Sequence, residues 1–229
     1  MKLLLTCEHG GNQVPKAYRD VFATAERELK SHRGWDPGAL SLYRALLPIS
    51  DASYHCTVTR LLVELNRSAR HPRLFSAWSR RLDAHQRNEV RARYYDPFRE
   101  DVLRTVTGWA RSGQEVLHIS VHSFTPILDG QVRDMHVGLL YDPAHGRESE
   151  LAARWKLLLQ ATAPDLIVRR NAPYKGTSDG HTRALRQAVG PNYHGIELEV
   201  RNDLLADPIA TERMARVLMP TLAVLSGKA

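Results

Sequence analysis

The feature that most constrains the fold is a repeated alternation of short apolar runs with longer amphipathic segments. The short runs predict strands at residues 3–6, 54–59, 61–65, 116–121, 135–141, 166–169 and 194–200. The longer patterns predict helices at residues 36–47, 83–111, 148–162 and 208–225, the second being split near Asp96-Pro97. Strands separated by helices predict a mostly parallel sheet with helices on both faces. No linker interrupts the pattern, so we predict one α/β domain over residues 1–229.

Composition agrees with a globular domain and excludes several other classes. The 229 residues are 43% hydrophobic and 25% charged, which is too apolar for a disordered chain. Two cysteines, Cys7 and Cys56, are too few for a disulfide scaffold. The apolar start covers only three residues, and no run approaches the ~20 apolar residues of a membrane span. We therefore expect a soluble, cytoplasmic protein.

Positive charge is concentrated in one Arg-rich segment, residues 67–111. This segment holds 11 arginines against five acids, within a chain of formal net charge +7. Such a segment could bind nucleic acid, or it could be a solvated surface beside a site for an anionic small molecule. No nucleic-acid-binding motif accompanies it, so we favour a small-molecule partner over nucleic acid.

Histidines follow two of the predicted strands, where ligands of a parallel sheet bind. His9 precedes two glycines, which allow close backbone approach, and an imidazole there can bind a metal. His118, Ser120 and His122 share one face of a later strand, because side chains alternate with period two. We expect His122, at the exit of the strand, to bind a metal and His118 to be a buried, hydrogen-bonded histidine.

A strand near the C-terminus carries two carboxylates, Glu197 and Glu199, on one face. Buried acids are costly unless they are paired, protonated or bound to a metal, so this face predicts a site. A glutamate beside an activated water can take its proton and pass it to a leaving amine. An exposed edge strand with two solvated acids is the alternative. Residues alone do not separate Glu197 from Glu199 as the base.

Three further polar groups follow strands or open a helix. Asn66 and Arg67 together could bind a carboxylate, and Arg60 could face an oxyanion. Asp36 precedes Pro37 at the predicted start of a helix, where it could simply be the N-cap. The Gly- and Pro-containing segment 171–180, which includes Tyr174, is predicted to be a loop that closes over a substrate.

Taken together, these segments resemble the N-formylglutamate amidohydrolase family. The matching pieces occur in order at residues 6–15 (TCEHGGNQVP), 32–39 (HRGWDPGA), 59–68 (TRLLVELNRS), 95–98 (YDPF), 119–124 (ISVHSF), 174–180 (YKGTSDG) and 195–199 (GIELE). The family is similar to zinc-dependent exopeptidases, aspartoacylases and zinc cell-wall amidases. The resemblance implies the three-layer α/β sandwich of the zinc exopeptidases, a phosphorylase/hydrolase-like fold.

The resemblance also implies a metal centre and roles for its neighbours. It places one Zn²⁺ per chain on His9, Asp36 and His122, with Glu8 and Asn12 as the other candidates for the third ligand. It favours Glu199 as the general base, since residues 199–201 match a Glu-x-Arg pattern. Asn66, Arg67 and Tyr174 would bind substrate, and Arg60 would stabilise the oxyanion.

The implied reaction is hydrolysis of N-formyl-L-glutamate to formate and L-glutamate, a step of histidine degradation. A related zinc amidase acting on another N-acyl amino acid or a short peptide is the nearest alternative. A catalytically silent binding protein and a nucleic-acid-binding module that uses the Arg-rich segment are the others. The sequence gives no indication of the oligomeric state.

Overall fold

A computed structural model describes residues 1–228, which form a mixed α/β fold with a mostly parallel central sheet. The strands are β1 (Lys2–Cys7), β2 (Ala52–His55), β3 (Val116–Phe124), β4 (Ile127–Leu128), β5 (Gln131–Val132), β6 (Val137–Leu140), β7 (Val168–Arg170) and β8 (Tyr193–Arg201). The helices are α1 (Glu26–Leu29), α2 (Ala39–Leu46), α3 (Ala84–Val90), α4 (Asp96–Arg111), α5 (Gly146–Thr162), α6 (His181–Val189) and α7 (Pro208–Ser226).

Six strands form the central sheet in the order β2-β1-β3-β8-β6-β7, and β4 and β5 form a separate hairpin. β2, β1, β3 and β8 are parallel to one another. β6 pairs antiparallel with β8, and β7 pairs parallel with β6. β8 is therefore a central strand, which excludes the alternative of an exposed edge strand for its two glutamates.

The two faces of the sheet have different chemistry because strand side chains alternate. On one face, apolar residues of β1, β3 and β8 pack against α2, α5 and α7 in the largest hydrophobic core. The other face contacts α4 and α6 around a smaller apolar cluster. This second face carries six polar side chains of the central strands: Thr6, His118, Ser120, His122, Glu197 and Glu199. These layers confirm the predicted sandwich, and every polar candidate on β3 and β8 lies on one side.

Two predicted strands between residues 54 and 65 differ from the structure. The run 61–65 is not a strand but a series of turns, in which Leu62, Val63 and Leu65 are buried in a separate apolar cluster. A run of adjacent apolar residues lacks the alternation that distinguishes a strand, so burial in turns gives the same pattern. The predicted strand 54–59 is the shorter β2, which begins two residues earlier.

The helix predicted at residues 36–47 begins at Ala39, and Asp36 does not cap it. The N-cap residue is Gly38, with a φ of 82° that favours glycine, and no side chain caps this helix. Asp36 is free of a capping role because its carboxylate is held by other side chains.

The remaining predicted elements are confirmed, with boundaries shifted by a few residues. The split in residues 83–111 is a π-helical turn, Arg91–Tyr95, between α3 and α4. Segment 171–180 contains neither helix nor strand. No helix within residues 1–228 has the length and apolarity needed to cross a membrane. The single-domain organisation stays a prediction.

Candidate active site

A polar cavity of about 260 Å³ opens at the carboxyl ends of β1, β3 and β8. His9 comes two residues after β1, and His122 of β3 is in register with Glu199 of β8. The eight residues favoured as site residues from the sequence all line this cavity: His9, Asp36, Arg60, Asn66, Arg67, His122, Tyr174 and Glu199. The parallel arrangement of the three strands is what brings distant segments of the chain together here.

His9, Asp36 and His122 form a buried group that could hold a metal ion. One ligand atom from each residue lies within 4.8 Å of the others. Asp36 Oδ2 is 2.8 Å from His122 Nδ1 and 3.3 Å from His9 Nδ1. Two imidazoles and a carboxylate are the ligand types of catalytic zinc sites, which keep a further position open for water or substrate.

Each of these three residues has a second polar atom, facing away from the group, that contacts a neighbouring side chain. His9 Nε2 contacts Glu64 Oε1. The second Asp36 oxygen accepts a hydrogen bond from Arg60 at 3.2 Å. His122 Nε2 is 2.8 Å from Ser120 Oγ. Such contacts fix the ring orientation of metal-binding histidines, so His9 Nδ1, Asp36 Oδ2 and His122 Nδ1 are left to face one another.

The glycines after His9 allow the close approach that this geometry requires. A Cβ added to Gly11 would lie 2.5 Å from the backbone oxygen of Thr57, and one on Gly10 would lie 2.9 Å from that of Cys56. Both distances are too short for any side chain without a backbone shift. The two glycines are therefore needed to seat the segment after β1 against the segment after β2.

The carboxylate of Asp36 is ionised and favours the protonated form of His122. Burial alone would raise the pKa of Asp36, but the charge of His9 and hydrogen bonds from both histidines lower it well below its usual range. Burial would likewise lower the pKa of His122, yet the hydrogen bond and charge of Asp36 raise it to about 10. A divalent cation bound at these atoms would take the place of such protons.

Arg60 and Glu64 form an ion pair beside this group. Arg60 Nε donates to Glu64 Oε2 at 2.7 Å. Burial would raise the pKa of Glu64, but the charges of Arg60 and His9 outweigh it and hold that pKa well below its usual range. The turn at residues 60–66 brings the two side chains together: Arg60 lines the cavity, and Glu64 lies beside it at a neighbouring pocket.

Glu199 differs from the other acids because its carboxylate is buried without a full set of partners. The residue is 6% exposed, and its Oε2 has no hydrogen-bond partner among residues 1–228. Burial raises the pKa of Glu199 to about 8, with the negative charges of Asp36 and Glu197 adding to the effect. Glu197 is half-buried and accepts a 2.8 Å hydrogen bond from Thr182 Oγ1. Glu199 therefore has a buried carboxylate oxygen that no side chain or backbone group of residues 1–228 binds.

The residues predicted to bind substrate lie at the outer wall of the cavity. Asn66 Oδ1 accepts a 2.6 Å hydrogen bond from the His181 backbone, which leaves its NH₂ group as a donor. Arg67 donates to the backbone oxygen of Asp179. Tyr174 is 43% exposed, and its hydroxyl is 3.1 Å from an Arg133 nitrogen. Arg67 therefore contacts segment 171–180 directly, and Asn66 contacts His181, the residue that follows it.

Comparisons with known proteins identify the family of this chain. The family model for N-formylglutamate amidohydrolase matches residues 1–206. The chain belongs to the N-formylglutamate amidohydrolase family. As a member of an amidohydrolase family, it is a hydrolase of amides.

Two solved structures are similar to this member of the N-formylglutamate amidohydrolase family over nearly its whole length. A gene product of Agrobacterium tumefaciens has a TM-score of 0.81 and 28% sequence identity, covering 99% of this chain and 90% of that one. An N-formylglutamate amidohydrolase from Ralstonia eutropha has a TM-score of 0.76 and 17% identity, covering 99% and 93%. At that identity the second likeness shows the fold. No curated protein matches the chain.

For this amidohydrolase, the structure separates the three candidates for the third metal ligand. Asp36 lies between the two histidines, as described above. Glu8 lies below them, where its closest approach to His122 is 3.7 Å, between Oε2 and Nε2. The Asn12 side chain points away and donates to the Leu29 backbone at 3.0 Å. The geometry therefore favours Asp36.

Sequence reasoning missed several residues that support the site of this amidohydrolase. Glu64, Ser120 and His181 were not assigned roles, although Glu64 belongs to the quoted ELNR segment. His118 is fully buried and hydrogen-bonded, as predicted. One signal in the sequence could have identified such supporting residues. It is an acid adjacent to a candidate ligand, as Glu8 is adjacent to His9.

Proposed function

We propose that this chain is a zinc-dependent enzyme that hydrolyses N-formyl-L-glutamate to formate and L-glutamate. The observation that carries the proposal is the buried His9–Asp36–His122 group in the same cavity as the partly unpaired carboxylate of Glu199. Membership of the amidohydrolase family supports amide hydrolysis, and the ligand types support zinc.

His9 Nδ1, Asp36 Oδ2 and His122 Nδ1 are the atoms that would hold the metal. Their outer contacts to Glu64, Arg60 and Ser120 keep them in place, which fits a preformed site. Zinc supplies Lewis-acid polarisation of the amide carbonyl and makes water nucleophilic at neutral pH.

Glu199 moves the protons of the reaction. Its ionised carboxylate takes a proton from the attacking water, and the resulting carboxylic acid gives that proton to the departing amine. In the metal-free chain burial raises the pKa of Glu199 to about 8, and the positive charge of a bound metal would lower it toward neutral pH, where the group can take up and release a proton. General acid–base catalysis of this kind contributes about 10²–10⁴-fold in rate.

Basic side chains in the cavity could bind the carboxylates of the substrate. The lining contains Arg60, Arg67 and Lys175, together with the acids Asp36, Asp179, Glu197 and Glu199. Asn66 and Arg67 bind the α-carboxylate through directed donors. Arg60 lies against Asp36 and Glu64 and stabilises the developing oxyanion from that side. Tyr174 contacts the substrate from segment 171–180.

Formate release from N-formyl-L-glutamate by the purified protein tests the proposal. We expect release that stops with a chelator and returns with added zinc, with about one zinc per chain by elemental analysis. Zinc binding without formate release would reject the substrate, and a panel of N-acyl amino acids and short peptides would then identify another one. Absence of both zinc binding and turnover would reject the enzyme.

A pair of matched variants tests the assignment of the base. Glu199→Gln should keep its zinc and lose about 10²–10⁴-fold in kcat. Glu197→Gln is the control, because it makes the same chemical change two residues away on the same face of β8. A larger loss of kcat in Glu197→Gln than in Glu199→Gln would reverse the assignment.

A further inference from the structure

Glu8 is a buried carboxylate beneath the site that the proposed mechanism does not use. It is 1% exposed and is surrounded by three donors. Thr6 Oγ1 and Ser120 Oγ each donate to it at 2.8 Å, one to each oxygen. His181 Nδ1 lies 3.0 Å from Oε1. A buried carboxylate accepts hydrogen bonds only, so it fixes the direction of every contact it makes.

The direction of these bonds determines where the protons of two histidines lie. Ser120 has one hydroxyl proton and gives it to Glu8, so it must accept at its 2.8 Å contact with His122 Nε2. His122 therefore carries its proton on Nε2. Its Nδ1, which faces Asp36, is left for a metal.

The same reasoning applies on the other side of Glu8. Thr6 gives its hydroxyl proton to Glu8 and accepts from His118 Nε2 at 2.8 Å. His118 Nδ1 then accepts from the Tyr193 hydroxyl at 2.6 Å. The hydroxyl groups of Thr6 and Ser120 thus connect one carboxylate to two histidines, and each hydroxyl fixes which nitrogen of its histidine carries the proton. Of the two histidines, only His122 is a candidate metal ligand.

We infer that Glu8 is a positioning residue that, through Ser120, holds His122 in the tautomer and orientation needed to bind a metal through Nδ1. The inference rests on the proposed function, because it concerns the same metal site. Glu64 orients His9 by direct contact, whereas Glu8 orients His122 through the Ser120 hydroxyl. Loss of such an outer partner typically weakens metal binding by about 10–100-fold.

Three variants separate the two branches of the network. Ser120→Ala cuts the link to His122, Thr6→Val cuts the link to His118, and Glu8→Gln affects both. Zinc dissociation constants come from competition with a chromogenic chelator. Histidine tautomers come from long-range ¹H–¹⁵N NMR spectra of the zinc-loaded and zinc-free full chain.

We expect Ser120→Ala and Glu8→Gln to weaken zinc binding by about 10–100-fold, and Thr6→Val to change it by less than about threefold. The double variant Glu8→Gln/Ser120→Ala should be no weaker than the weaker single variant, because both act through one path. In the zinc-loaded wild type, His122 should show a protonated Nε2. His118 should show the same with or without zinc, and Thr6→Val should change the His118 spectrum alone.

The outcomes distinguish failure of the inference from failure of the proposed function. Wild-type zinc affinity in both Glu8→Gln and Ser120→Ala would overturn the inference while leaving the enzyme standing. A wild type that binds no zinc would reject the proposed function, and a His122 spectrum that is the same in the zinc-free wild type and in Ser120→Ala would then overturn the inference. If Glu8→Gln does not fold, Ser120→Ala and Thr6→Val carry the comparison.

Discussion

Glu199 should lower the stability of the metal-free protein at alkaline pH, and replacing it should make the protein more stable. In the folded chain, burial raises the pKa of its carboxyl from about 4.5 to about 8. The unfolded chain releases the same proton near pH 4.5. Between these two pH values unfolding releases a proton, so stability falls as the pH rises and levels off above pH 8. Gln has no proton to release, so Glu199→Gln removes this loss.

The size of the effect follows from the width of that pH window. Each pH unit between the two pKa values contributes about 1.4 kcal/mol. Glu199→Gln should therefore raise the free energy of unfolding by about 3–5 kcal/mol at pH 8, and by little at pH 4.5. The residue is 6% exposed, so solvent screening does little to reduce the figure.

Urea unfolding with a chelator present, at several pH values from 4.5 to 8.5, measures this difference. Glu197→Gln serves as the matched control, and it should keep the pH dependence of the wild type because Glu199 remains. Equal stabilities of wild type and Glu199→Gln across the whole range would refute the reasoning. The carboxyl would then be solvated or paired in a way the structure does not show.

Three further perturbations have defined outcomes. Chelation should abolish amide hydrolysis and lower the melting temperature, and zinc should restore both, which calorimetry and formate release can follow. Arg60→Met should lower the free energy of unfolding by about 2–4 kcal/mol at pH 7, because Asp36 and Glu64 lose a buried partner. Below about pH 4 this loss should shrink as the two acids take up protons, and a constant loss in urea titrations would contradict it. Gly11→Ala should lower the melting temperature, because the added Cβ would lie too close to the Thr57 backbone. Gly108→Ala should not lower it, because the added Cβ would have no neighbour within 4 Å.

The site residues at the ends of the strands were predictable from sequence, because their immediate neighbours in the chain identify them. His9 and His122 stand directly after or at the end of apolar runs, and Glu199 alternates with apolar neighbours. Period-two alternation is enough to place Ser120 with His122, and Glu197 with Glu199, on shared faces. Once the strands are parallel, these positions meet at one edge of the sheet.

The supporting layer was not predictable, because it depends on contacts between distant segments. Glu64 contacts His9 only because residues 61–65 turn instead of forming a strand. His181 reaches Glu8 from the start of α6, far along the chain. A single sequence carries no signal for such pairs.

Asp36 shows how one residue type can suggest the wrong local role. An acid before Pro37 is a strong helix-start signal, yet α2 begins three residues later at Ala39. The Asp36 carboxylate contacts two histidines and an arginine, which compensate its buried charge far better than a helix end would. Tertiary electrostatics therefore overrides the capping preference here.

The spread of the site along the chain has a consequence for how the protein folds. His9, Asp36, His122 and Glu199 come from segments that span most of the sequence, and they meet only when β1, β3 and β8 are side by side. No early fragment of a growing or refolding chain can form the site, since its last member arrives with β8. Contacts of such long sequence separation form slowly, so acquisition of amide hydrolysis, which needs Glu199 beside the metal site, should mark the late assembly of β8 into the sheet.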